Sequence, residues 1–96
     1  MSVNFGRYEF AGPFATLEEL EDRPGLYSIL CSDDESYKVL EVRQAKLVQT
    51  DFARALKSNS WADFCRNKIR VAVYYSSDWN HLEQVREFMA DCTADI

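Results

Sequence analysis

The chain has one histidine, His81, and no Cys-x-x-Cys pair. Its cysteines, Cys31, Cys65 and Cys92, are far apart and odd in number. A four-ligand zinc centre made from Cys and His alone would need all four residues, with none of the usual close pairing. The spacing therefore argues against one, and the cysteines read as three small core or half-buried thiols. Positive charge is also scarce: 11 Lys and Arg stand against 16 Asp and Glu, for a net charge of -5. That balance disfavours a broad phosphate-binding face, because each phosphate contact needs local positive charge, but leaves room for a small basic patch. No apolar run is long enough to span a membrane, and the opening "MSVNFGRYEF" does not resemble a signal peptide. There is no repeat, low-complexity tract or linker. The expectation is a cytoplasmic protein without a membrane partner.

What is present is enough apolar material for one core. The chain has 96 residues, of which 47% are hydrophobic and 14% aromatic, which fits a single domain over 1–96. Phe5, Tyr8 and Phe10 suggest an edge strand or an arm packed on the core, and "AGP" at 11–13 a turn. Thr16 and Glu19 have the spacing of a capping box for a short helix carrying Leu17 and Leu20, ended by Pro24 and Gly25. Strands are expected over Leu26 to Ser32 and Tyr37 to Val42, joined by the acidic loop "SDDES". A helix follows over Ala45 to Lys57, with Leu47, Val48, Phe52, Ala55 and Leu56 near one face. Ser60 and Asp63 suggest another capping box, and Trp61, Phe64 and Cys65 fall at i, i+3, i+4. "IRVAVYY" reads as a strand, and "SSDWN" as a turn and cap. The last helix runs from His81 to about Cys92, with Leu82, Val85, Phe88, Met89 and Cys92 on one side. The expected fold is α+β in the order α-β-β-α-α-β-α: a three-stranded antiparallel or mixed sheet flanked by helices.

"RPGLYSIL" puts Gly-Leu-Tyr at the head of the first long strand, and the later landmarks are "GPFAT", "YKVLEV", Trp61 and Cys65 as W-x-x-x-C, "VAVYY" and "LEQ". In this order and spacing, from about Tyr8 to Met89, the chain resembles the GIY-YIG nuclease superfamily, closest to its small bacterial members. The resemblance implies metal-assisted phosphodiester hydrolysis. Two tyrosines line such a site, a helix arginine stabilises charge on the phosphate, a histidine often follows one turn on, and a glutamate on a later helix binds one divalent metal.

Carried onto this sequence, the resemblance retains the first tyrosine as Tyr27. The second tyrosine falls at Glu41, an acid often found there in the small bacterial members, and the YIG glycine at Arg43. The helix arginine falls at Asp51, which exchanges a cation for an anion, and the histidine at Ala55, which cannot transfer a proton. The metal glutamate falls at Glu83 in "LEQ", or at Glu87 one turn on, and "ADCTADI" replaces the family's "NPPCG"-like ending. Half of the site is present in form, with Tyr27 and Glu83 vestigial, and the rest is replaced.

The expected function is thus a divergent GIY-YIG-like domain without catalysis, acting as a small binding module. Two alternatives compete. One is a divergent, active, metal-dependent DNA endonuclease using Mg²⁺ or Mn²⁺, with Lys46 or Arg54 recruited to the lost arginine's place. The other is an acidic protein-binding module unrelated to nucleic acid. No cofactor is expected outside the nuclease alternative. The partner is a protein or a weakly bound nucleic acid, and the chain a monomer or a homodimer through "VAVYY" or Trp79. Trp61 reads as core, whereas Trp79 lies in a polar turn and is the interface candidate. Arg43, Lys46 and Arg54 form a modest basic spot or a solvated helix face, and the acidic clusters at 18–22 and 33–35 read as solvated surface.

Overall fold

The computed structural model describes residues 2–33, 36–58, 61, 65 and 68–89. Its N-terminus is built by a period of two. Val3, Phe5 and Phe10 are fully buried on one side of a hairpin, β1 (Ser2–Phe5) and β2 (Tyr8–Phe14), in which Phe5 pairs with Tyr8. Gly6 makes the turn with φ of 60°, and a Cβ there would lie 2.5 Å from the Phe88 ring. The "AGP" segment is not a turn. It lies within β2, where the Gly12–Pro13 peptide is cis and pairing with the next strand shifts register between Ala11 and Phe14. An interrupted ladder tolerates the missing proline donor.

The hairpin extends a sheet formed by β3 (Gly25–Asp33), β4 (Ser36–Ala45) and β5 (Ile69–Tyr75). The order is β1-β2-β5-β3-β4, with every pair antiparallel. The sheet therefore has five strands, not the expected three, because the aromatic N-terminal segment pairs with it. The "VAVYY" segment lies in β5, between β2 and β3, so it offers no free edge. Val71, Ala72 and Val73 are all buried, as befits a strand covered on both faces.

Among the described residues two helices cover the sheet, α1 (Val48–Ser58) and α2 (Trp79–Met89). The expected first helix is a single 3-10 turn, Leu17–Glu19. Thr16 makes no side-chain cap there, and Glu19 instead accepts the Ala15 N–H at 3.0 Å. The helix expected around 60–65 lies outside the described residues, apart from Trp61 and Cys65, both buried. The described order is thus β-β-β-β-α-β-α in place of α-β-β-α-α-β-α.

Each helix has its own face. Leu26, Leu30 and Ala72 pack with Val3, Phe5 and Phe10 beneath Leu82, Val85 and Met89 of α2. Tyr27, Ile29, Val71 and Val73 pack beneath Val48, Phe52 and Ala55 of α1, and Trp61 stacks on Phe52 at 6.0 Å. The alternation along β3 divides these two sets. Three expected core residues remain open: Leu47 is 50%, Leu56 46% and Phe88 41% exposed, although Phe88 packs edge-on to Tyr8.

"RPG" ties the second face together. The Arg23 carbonyl accepts the Val48 N–H that opens α1, and the Pro24 carbonyl accepts the Ser76 N–H that closes β5, each at 3.0 Å. Gly25 lets β3 approach β5, since a Cβ there would lie 2.8 Å from the Tyr74 carbonyl oxygen. Cys31 and Cys65 are not free thiols. They form a disulfide with Cα atoms 5.6 Å apart, which also removes two members of the hypothetical zinc set. Cys92 lies outside the described residues. No helix of the described residues is long and apolar enough to cross a membrane.

Candidate functional site

The face under α1 brings four of the singled-out residues together. Tyr27 and Arg43 are direct partners across β3 and β4, so their side chains share that face, and Glu41 lies opposite Ile29 beside a register shift. Helix α1 supplies Asp51 from its first turn, where a carboxylate suits the helix dipole. The turn is also capped from outside: Asp22 accepts the Thr50 N–H at 3.0 Å and its hydroxyl at 2.9 Å. The acidic cluster at 18–22 thus has structural duties at Glu19 and Asp22.

The Tyr27 hydroxyl donates to Asp51 Oδ2, and Arg43 Nε donates to the same oxygen at 3.1 Å. Arg43 also reaches Glu41 Oε2 at 3.4 Å. Tyr27 is fully buried. Burial pushes its phenol pKa well above the ordinary value, and the hydrogen bond to Asp51 with that carboxylate's charge pushes it the same way. For Arg43, burial alone would lower the pKa. The hydrogen bond to Asp51, the neighbouring acidic groups and Glu41 outweigh it and leave the guanidinium held more firmly charged.

This arrangement is a closed knot of donors and acceptors. The phenol stays protonated near neutrality and has an acceptor; the guanidinium has two carboxylates. Glu41 and Asp51 are the carboxylates that share this site, and a divalent cation would have to displace Arg43 from between them. Among the described residues, no group of three or more His, Cys, Asp and Glu is placed to hold a metal ion.

The remaining candidates lie elsewhere. Ala55 is buried in the core under α1. Glu83 and Glu87 are exposed on α2, whose buried residues pack on the opposite face of the sheet from Tyr27. His81 bonds through Nε2 to the Tyr74 hydroxyl at 2.9 Å, and its N–H is capped by Asp78. Lys46 and Arg54 line a cleft of about 290 Å³ with Leu47, Thr50, Asp51 and Trp79. Trp79 is 39% exposed, and its carbonyl accepts Gln44 Nε2 at 3.1 Å.

The role of Asp51 as a bridge between Tyr27 and Arg43 was beyond sequence spacing, because the three sit on different elements. The visible signal was the pair of simultaneous exchanges, a cation where the resemblance expects glycine and an anion where it expects arginine. Compared with known proteins, the chain matches no family model, no curated protein and no solved structure.

Proposed function

We propose that this chain is a divergent GIY-YIG-like domain that does not cut nucleic acid and serves as a small binding module. The knot of Tyr27, Arg43 and Asp51 carries this reading. Phosphodiester hydrolysis needs a cation facing the developing charge and a group that activates water. At the arginine position of the resemblance stands a carboxylate, and the nearest guanidinium is committed to it. The Tyr27 hydroxyl is a buried donor. The histidine position is the core residue Ala55, and Glu83 projects from the helix on the other face. Loss of one oxyanion-type donor alone slows such chemistry by about two to three orders of magnitude.

The binding role is favoured by what the surface offers beside the knot: exposed Leu47 and Trp79 in one cleft with Lys46 and Arg54. The test is conversion of supercoiled plasmid with Mg²⁺ or Mn²⁺, comparing wild type with Glu83→Ala and Asp51→Ala. The expected result is no nicking above a buffer control for any of the three. Nicking by wild type that disappears in Glu83→Ala would overturn the proposal in favour of a rebuilt endonuclease.

A further inference from the structure

β4 is the outer strand of the sheet, pairing with β3 on one side, and it runs 10 residues where the other edge strand, β1, has 4. Among the described residues, no other backbone group bonds to its outer side. Such an edge presents a row of donors and acceptors that can take one more strand.

A groove follows that edge. Its wider part, about 480 Å³, lies where Val39 to Val42 face Arg86, Glu87 and Met89 of α2. Arg86 also borders a polar stretch along Glu41 to Gln44. Beyond Gln44 comes the cleft of Leu47 and Trp79, closed on its other side by Thr50, Asp51 and Arg54 of α1.

The charges along the groove are unequal in availability. Lys46, Arg54 and Arg86 have no ion-pair partner among the described residues. Arg43 engages the carboxylates of both Glu41 and Asp51, one cation against two anions, and Glu87 has no ion-pair partner among the described residues. In a chain of net charge -5, this edge gathers four cations, Arg43, Lys46, Arg54 and Arg86, against three carboxylates, Glu41, Asp51 and Glu87, beside a cleft where Leu47 and Trp79 stand among polar side chains.

We infer that the β4 edge binds an extended acidic peptide segment of a partner protein as a sixth strand. An apolar side chain of that segment sits between Leu47 and Trp79, and its carboxylates meet Lys46, Arg54 and Arg86. The inference rests on the binding-module reading above. A nucleic acid fits less well, because a phosphate backbone has no alternating N–H and C=O groups with which to pair the free edge of β4. A second copy fits less well too. The register of β4 shifts near Leu40, and pairing two such edges would gather the unpaired cations of both copies on one seam.

The test uses the full chain and a synthetic peptide as long as β4, with alternating glutamate and valine and one leucine. Two controls carry glutamine for glutamate, or N-methyl groups on alternate amides. Binding is read by tryptophan fluorescence, with Trp79→Phe to assign the signal, and by amide hydrogen exchange along β4. The acidic peptide is expected to slow exchange at Val39 to Gln44. The glutamine peptide should bind about tenfold more weakly, and Arg54→Glu or Arg86→Glu should each weaken binding by about threefold to tenfold. N-methylation of the bonding set of amides should abolish it. Equal binding of the glutamate and glutamine peptides, tolerance of N-methylation on both sets of amides, or no binding at all overturns the inference. So does displacement of the peptide by single-stranded DNA at equal charge, or a dimer that protects β4 without peptide. Plasmid nicking by the same preparation would overturn the binding-module reading itself; its absence together with absent peptide binding overturns this inference alone.

Discussion

Asp51 accepts from two donors of different kinds, and removing it would affect them differently. Arg43 would keep Glu41 and solvent, being about a third exposed, while the buried Tyr27 hydroxyl would lose its acceptor. Asp51→Ala is therefore expected to destabilise the fold by about 1–3 kcal/mol, and Tyr27→Phe, which removes donor and demand together, by about 1 kcal/mol. Urea unfolding of both variants checks the order. The phenol also sets a direction with pH. Its folded pKa lies above the unfolded value of about 10, so its contribution is full below that pH and declines as pH rises towards the folded pKa. Stability measured above pH ~10 should fall less steeply in Tyr27→Phe than in wild type. Ser28 presents the opposite case. It is fully buried and its hydroxyl has no hydrogen-bond partner among the described residues. Ser28→Ala should raise stability by up to about 1 kcal/mol, seen as a higher Tm.

At the scale of elements, the Cys31–Cys65 bond joins β3 to the segment after α1 across 34 positions. Closing a loop of that length stabilises by about 3–4 kcal/mol in the chain-entropy model, so reduction or Cys31→Ser should lower the denaturation midpoint accordingly. The denatured, unreduced chain should titrate one thiol, Cys92, rather than three. The sequence carried β3, β4, α1 and α2 well, because apolar residues recur there at two or at three and four, between clear breaks. The N-terminal hairpin was hidden by scale: Val3, Phe5, Tyr8 and Phe10 alternate across Gly6, but over segments so short that an arm explained them equally. The Pro13 in β2 argued locally against a strand, and the tertiary pairing on either side of it overrode that preference. Of the site, Tyr27 and its altered partners were legible as positions. Their mutual bonds were not, since Asp51 meets Tyr27 only when α1 folds over the sheet. The disulfide was equally hidden, because an odd set of distant cysteines gives no pairing.

At the scale of the molecule, the sheet separates two half-cores. The knot lies under α1, and Glu83 stands on α2 across the sheet. With no shared partner, Asp51→Ala and Glu83→Ala should have additive effects on unfolding free energy, within about 0.5 kcal/mol, in a double-mutant cycle. A larger coupling would mean that the two faces communicate. The Cys31–Cys65 bond adds a second kind of connectivity to this layout. It closes a covalent ring that contains β4, α1 and three of the four knot residues, Glu41, Arg43 and Asp51. A single peptide-bond break anywhere inside that ring opens it without dividing the molecule. Both new ends stay tethered, β4 and α1 stay at high local concentration beside β3, and the chain that carries the proposed edge remains one piece for as long as the sulfur bond lasts.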